Sequence, residues 1–190
     1  MSRTAALMLM AACALIGACA TPTEPRLPGD RTSSTPAPAP EPAPAAFDWP
    51  AERARITDQL GVSNDVDIRL RDNGALELVL SVADAFAQNG TEPRPALQAT
   101  LNRIAPVLAE VAETEIRIYG HTDGIGSEIY NLQLSILRAE AVMEHLRSRG
   151  VALTRLHADG KGEAEPIADN ASEAGRARNR RIEIVIEPLR

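Results

Sequence analysis

Glu115-Ile116-Arg117-Ile118-Tyr119-Gly120-His121-Thr122-Asp123-Gly124-Ile125-Gly126-Ser127-Glu128-Ile129-Tyr130-Asn131-Leu132-Gln133-Leu134-Ser135-Ile136-Leu137-Arg138 reads as a strand, a glycine-rich turn and the opening of a helix. Residues 115–119 alternate as a strand does. Gly120, Gly124 and Gly126 are expected to permit a tight turn with positive φ and an approachable backbone. Ser127 can cap the helix, whose free amides favour an anionic group. Asp123 sits in the turn and Arg138 on the helix. An ionised Asp only accepts hydrogen bonds, so it suits an ammonium. An Arg fork matches a carboxylate. Together they can grip a ligand that carries both charges. Asn131 and Arg138, seven residues apart, share a helix face about 10 Å apart along the axis, with Ser135 near it. The same residues also allow a plainer arrangement, a solvated turn with a surface ion pair between Asp123 and Arg138.

Outward from this stretch, Trp49, Arg53, Ile56 and Leu60 recur at helical spacing, which predicts a short helix over Asp48 to Leu60. Residues 66–70 and 75–80 read as strands. Asp72-Asn73-Gly74 between them is a hairpin signal. Pro95 opens a helix to Val111, with Leu97, Leu101, Ile104 and Leu108 as its apolar stripe. Ser127 to Arg149 is a second long helix, stopped by Gly150. Leu156 to Gly160 reads as a short strand. Residues 181–187 form the last one, with Ile182, Ile184 and Ile186 inward. This order predicts an α/β (α+β) two-layer sandwich: a mixed β-sheet with two long helices on one face and a more polar opposite face.

Two runs carry a resemblance to a known family. The first is Gly120-His121-Thr122-Asp123, Gly126-Ser127, Tyr130-Asn131, Leu134-Ser135 and Arg138-Ala139. The second is Gly160, Gly162-Glu163, Pro166-Ile167-Ala168, Asn170, Gly175-Arg176-Ala177 and Asn179-Arg180-Arg181. In order and spacing they resemble the OmpA-like (OmpA/Pal/MotB C-terminal) peptidoglycan-binding domain over roughly residues 75–188. The resemblance implies the OmpA-like fold and non-catalytic binding of the diaminopimelate-containing stem of the bacterial cell wall. It implies that Asp123 takes the ammonium of the diaminopimelate end and Arg138 its carboxylate. Asn131, Thr122 and Arg180 complete the expected ligand-binding set, Arg180 with a weaker share, and His121 is expected to brace the turn. One departure is visible. The family usually carries a Phe-Asp pair where this chain has Phe86-Ala87, with Asp84 close by and Asn89 as the alternative polar contact.

The N-terminus sets the location. Arg3 precedes an apolar run from Ala5 to Ala18, long enough for a signal peptide and too short to span a bilayer. It ends Leu15-Ile16-Gly17-Ala18-Cys19, which resembles a lipoprotein box. The implied processing removes residues 1–18 and attaches lipid, palmitate among the acyl chains, to Cys19. Two or more chains would anchor the protein stably. An ordinary signal peptide cut at another small residue is the plainer alternative. Ala20 after the cysteine implies the outer membrane, with the domain facing the periplasm. Residues 19–46 are the lipidated Cys and a Pro/Ala-rich linker, residues 47–74 an N-terminal helix and hairpin strand, and residues 75–190 the binding domain. The linker favours a semi-extended form reaching at most ~80 Å.

The chain holds two cysteines, Cys13 in the leader and Cys19. The mature domain is therefore expected to lack any disulfide or thiolate metal site. Twenty basic against 26 acidic residues give −6, or −7 without Arg3. With two Phe, two Tyr and one Trp, such a chain has neither the basic patch nor the stacking surfaces for nucleic acid. His121, His145 and His157 show no metal-ligand spacing, and Ser127 lies in no nucleophile elbow. Gly160-Lys161-Gly162 lacks the pattern of a phosphate loop. No enzyme activity, cofactor or metal is expected. No barrel sequence precedes the domain, so an OmpA-type porin is not expected. Three roles stay open: an outer-membrane tether to the wall, a Tol-Pal-like partner protein, and a wall-sensing regulator of a signalling protein. Leu132, Ile136 and Met143 make a second apolar strip on the 127–149 helix, beside the expected core stripe of Tyr130, Leu134, Leu137 and Ala141. Either the helix around Trp49 packs on that strip, or a homodimer or protein partner does.

Overall fold

A computed structural model describes residues 47–61, 65–82, 85–87 and 90–189. The expected leader, Cys19, the linker, Asp84 and Asn89 lie outside the described residues. Helix α1 (Trp49–Leu60) is followed by strands β1 (Val66–Leu70) and β2 (Leu76–Ser81), helix α2 (Pro95–Glu110) and strand β3 (Thr114–His121). Helix α3 (Glu128–Ser148), strand β4 (Leu156–Gly162), helix α4 (Glu173–Asn179) and strand β5 (Arg181–Pro188) complete it. One mixed sheet has the order β1-β2-β5-β3-β4. β4 runs parallel to β3, and the other neighbours are antiparallel.

Alternation in β5 decides the layering. Ile182, Ile184 and Ile186 are fully buried with Leu78, Leu80, Ile116 and Ile118 beneath α2 and α3. Each such side chain contributes about 1.5–3 kcal/mol on leaving water. Helix α2 supplies Leu97, Leu101, Ile104 and Leu108, the stripe read from its spacing. The β1–β2 hairpin closes on Gly74, whose φ is 83° and whose amide donates to the Arg71 carbonyl at 2.9 Å. Gly74's carbonyl accepts from the Trp49 indole at 2.9 Å, which ties α1 to the hairpin.

Helix α3 departs from its expected orientation. Tyr130 and Leu137 are 42% and 50% exposed, so they do not form a core stripe with Leu134. Ser135, Ala139, Val142 and Leu146 face the sheet instead, all at 0% exposure. The reason is close approach. A Cβ on Gly120 would lie 2.1 Å from the Ser135 carbonyl oxygen, and one on Gly160 2.4 Å from Ser135 Oγ. Glycine in β3 and β4 lets the small-residue side of α3 descend onto the sheet. Nor does α1 cover the Leu132 strip. It packs on α2 and the hairpin, and Leu132 stays 42% exposed.

The opposite face of the sheet is polar, and it is not entirely wet. Glu77, Arg181 and Glu183 are all buried there. Arg181 Nε donates to Glu183 at 2.7 Å, and its Nη2 donates to the Glu165 carbonyl at 3.0 Å in the loop after β4. Arg71 pairs with Glu77 and reaches Glu183 at 3.0 Å.

Candidate functional site

β3 ends at His121, and the turn that follows brings Asp123 over the start of α3. Of the three turn glycines only Gly126 has positive φ, 111°. Gly120 serves close packing, as above. The Gly124 amide donates to Asn170 at 3.2 Å. Asp123 Oδ1 accepts the Ile125 amide at 3.0 Å, an Asx-type closure of the turn. Ser127 caps α3 by accepting the Tyr130 amide at 3.3 Å. Asn131, 2% exposed, donates Nδ2 to the carbonyls of Asp123 and Ile125 at 3.3 and 3.2 Å and to Glu163 at 2.6 Å. Its amide thereby fastens the turn to the helix and to the loop after β4. Thr122 is buried too. Its amide donates to the Gly162 carbonyl at 2.9 Å, and its Oγ1 has no partner among the described residues.

The two charged groups differ sharply in environment. Arg138 is 7% exposed, with its guanidinium 5.0 Å above the Phe86 ring and Nε donating to the Gly90 carbonyl at 3.0 Å. Burial pulls its pKa down; Arg180 adds to that, while Tyr130 and Asp123 oppose it. Among the described residues no carboxylate forms an ion pair with Arg138. The plain Asp123–Arg138 bridge is thus absent from this set. Asp123 Oδ2 instead accepts from Arg180 Nη1 at 2.7 Å. Arg180 Nη2 holds Glu173 at 2.7 Å, at the first residue of α4. Desolvation pulls the Arg180 pKa down, but bonding to Asp123 and Glu173 outweighs it and the net shift is upward. Asp123, Arg138 and Arg180 therefore meet at one place, with Asn131 and Thr122 bracing it from below. Glu173 and the Gly90 carbonyl are additions that sequence reading did not assign, and Phe86, read as the place of a family contact, lies under the Arg138 guanidinium. Ser172, which accepts the Gly175 amide at 3.0 Å, is a local capping signal from which α4 could have been found, whereas nothing in the sequence marks the bond from Arg180 to Asp123, 57 residues upstream.

Behind the turn, His121 is 1% exposed. Its Nε2 lies 3.5 Å from Glu183, and Nδ1 has no partner among the described residues. Burial alone would raise the Glu183 pKa, yet His121 and Arg181 bring it down to about 2. His145 and His157 lie elsewhere, against Asn102 at 2.8 Å and Glu115 at 3.1 Å.

The described fold is a sheet backed by two helices, with a charged turn at the β3–α3 junction. Residues 85–180 match the OmpA family, and the chain belongs to that family. The outer-membrane lipoprotein YfiB of Pseudomonas aeruginosa is 35% identical over 137 residues, 72% of this chain and 81% of YfiB. The peptidoglycan-binding protein ArfA of Mycobacterium tuberculosis is 41% identical over 112 residues, 59% of this chain and 34% of ArfA. The solved structure of the cell wall anchor of the T6SS from Pseudomonas aeruginosa superposes with a TM-score of 0.58 at 30% identity, covering 74% of this chain and 94% of that one.

Proposed function

We propose that this domain binds peptidoglycan non-covalently and, through a lipid on Cys19, holds the outer membrane to the cell wall. The observation that carries the reading is Arg138: a buried guanidinium without a carboxylate partner among the described residues, beside the carboxylate of Asp123. A buried cation costs free energy unless something pairs with it. A ligand carboxylate at Arg138 and an ammonium at Asp123 would supply both partners. The free end of diaminopimelate carries that pair. The relatives named for outer-membrane lipoprotein, peptidoglycan binding and wall anchoring support the reading. The site acts by binding alone, with no catalytic step.

Co-sedimentation with purified peptidoglycan tests it. The protein is expected to pellet with diaminopimelate-type wall and to be displaced by free diaminopimelate. Lysine-type wall lacks the extra carboxylate and is expected to retain much less. Equal retention by both walls would sink the Asp123–Arg138 grip. The anchor is tested apart from the grip. Cys19→Ser is expected to release the protein from membranes or block its maturation, and an unlipidated variant that still fractionates with membranes in high salt would refute the anchor.

A further inference from the structure

The other edge of the sheet from β4 is β1, which has no strand neighbour on its outer side among the described residues. We infer that this edge pairs antiparallel with β1 of a second copy of the chain, in a register centred on Ile68. Three observations converge on that register. The first is where the free backbone groups point. The Arg71 amide donates to the Ala75 carbonyl, and Arg71's own carbonyl accepts from Gly74, both at 2.9 Å. In an antiparallel ladder alternate residues share that direction, so Arg71, Arg69 and Asp67 face β2. Val66, Ile68 and Leu70 therefore turn their N–H and C=O groups outward. A second strand centred on Ile68 sets Ile68 against its own copy and Val66 against Leu70, residue for residue where those groups are free.

The second observation is charge. Asp67 and Arg69 share the polar face of β1, with side chains 59% and 48% exposed, and pair with each other at 2.6 Å. In the Ile68-centred register Asp67 stands opposite the second copy's Arg69, twice over. A shift of two residues either way brings Asp67 against Asp67 or Arg69 against Arg69. A shift of one turns apolar residues to the polar face. Charged residues on an edge strand usually discourage pairing; of these three registers, only the one centred on Ile68 sets neither Asp67 nor Arg69 against its own copy.

The third is the apolar side. Leu70 is 58% exposed at this edge. A groove of about 490 Å³ lies between α1 and β1, lined by Arg53, Ala54, Asp58, Ile68, Leu70 and Leu76 among others. In the paired arrangement the exposed Leu70 gains a cross-strand neighbour in the second copy's Val66, which is itself only 6% exposed in its own chain. An unrelated strand would have to match both the alternation and the charge order. A second copy does so by symmetry. The resulting dimer would carry two Asp123–Arg138 sites and bind a polymeric wall bivalently.

The test is sedimentation velocity over a concentration series up to millimolar. The chain is taken from residue 20 onward, which removes lipid as a cause of association and retains the whole sheet and its core. The wild type is expected to show a reversible monomer–dimer equilibrium. Arg69→Asp and Asp67→Arg are each expected to weaken it at least about tenfold, since attraction becomes repulsion at both cross-strand pairs. An equimolar mixture of these two variants restores opposite charges at both pairs, and is expected to dimerise like the wild type. So is the double variant Asp67→Arg/Arg69→Asp. A wild type that stays monomeric, single variants that associate normally, or a mixture that fails to recover would each overturn the proposal. Peptidoglycan co-sedimentation of the same variants reports separately on the Asp123–Arg138 reading, which the pairing does not require.

Discussion

Replacing Arg138 with Met separates stability from binding, because this side chain does little for the fold and much for the proposed ligand. Among the described residues Arg138 makes one backbone hydrogen bond, to Gly90 at 3.0 Å, and one contact over Phe86 at 5.0 Å. The hydrogen bond contributes about 1.5–3 kcal/mol and the ring contact about 0.5–2 kcal/mol. Against them stands the desolvation of a guanidinium that is 7% exposed, which costs several kcal/mol. Met keeps most of the apolar stem against Phe86 and removes the buried charge. The net change in folding stability is therefore expected within about 1 kcal/mol of zero. Binding loses one partner of a charged hydrogen bond in a desolvated site, about 2–5 kcal/mol, or roughly 30- to 5,000-fold. Thermal melting and co-sedimentation with diaminopimelate-type wall are measured on the same preparation. Undiminished sedimentation would refute the assignment. A large loss of stability would show instead that Arg138 is a structural residue.

Glu183→Gln is expected to flatten the acid limb of the stability curve. With its pKa at about 2, below the ordinary glutamate range, Glu183 contributes stability that is fully present above the unfolded pKa of ~4.3 and is lost as pH falls through ~2. Urea melts between pH 5 and pH 2 should show the wild type losing on the order of 2–3 kcal/mol more than the variant; parallel curves would refute the pairing with His121 and Arg181. Arg155→Met is expected to cost roughly 3 kcal/mol. Arg155 donates to the Leu108 and Thr114 carbonyls at 3.0 and 2.8 Å, and removing it leaves both buried oxygens, one of them in the last turn of α2, unpaired. A thermal shift below about 3 °C would contradict that. Gly120→Ala is expected to prevent native packing of α3, since its Cβ would stand 2.1 Å from the Ser135 oxygen, and a native-like circular dichroism melt would refute the close approach.

How far the fold was legible depended on whether a signal was local. Asp72-Asn73-Gly74 marked its hairpin because a tight turn needs φ above zero, and Gly74 supplies it at 83°. β5 was legible because three isoleucines alternate with charged and smaller residues. The face of α3 was misassigned because helical periodicity fixes which residues share a side and leaves open which side meets the sheet. Large residues suggested Tyr130 and Leu137. Small ones decided it, since Ser135 and Ala139 lie where Gly120 and Gly160 admit them. Helix α4, Glu173–Asn179, is too short for periodicity to register. Asp123, Arg138, Asn131, Thr122 and Arg180 were all named from the family's two runs. That Asp123 closes on Arg180 was not legible, because a bond between residues 57 positions apart belongs to the tertiary fold.

That bond makes the site asymmetric. Asp123 is already neutralised by Arg180 at 2.7 Å, and Arg180 is held in turn by Glu173. Among the described residues Arg138 has a ring face and one carbonyl for company, and neither cancels its charge. A ligand carboxylate reaching Arg138 relieves a buried, uncompensated cation. A ligand ammonium reaching Asp123 must share that carboxylate with a guanidinium already there. The larger gain therefore falls on the carboxylate contact, and the ammonium contact serves more to choose among carboxylates. On this proposal free diaminopimelate would satisfy both, whereas the lysine of other walls would bring an ammonium without the extra carboxylate, to the less rewarding half of the site. On the proposed function, selectivity for wall type would then follow from which of the two charges is left without an ion pair among the described residues.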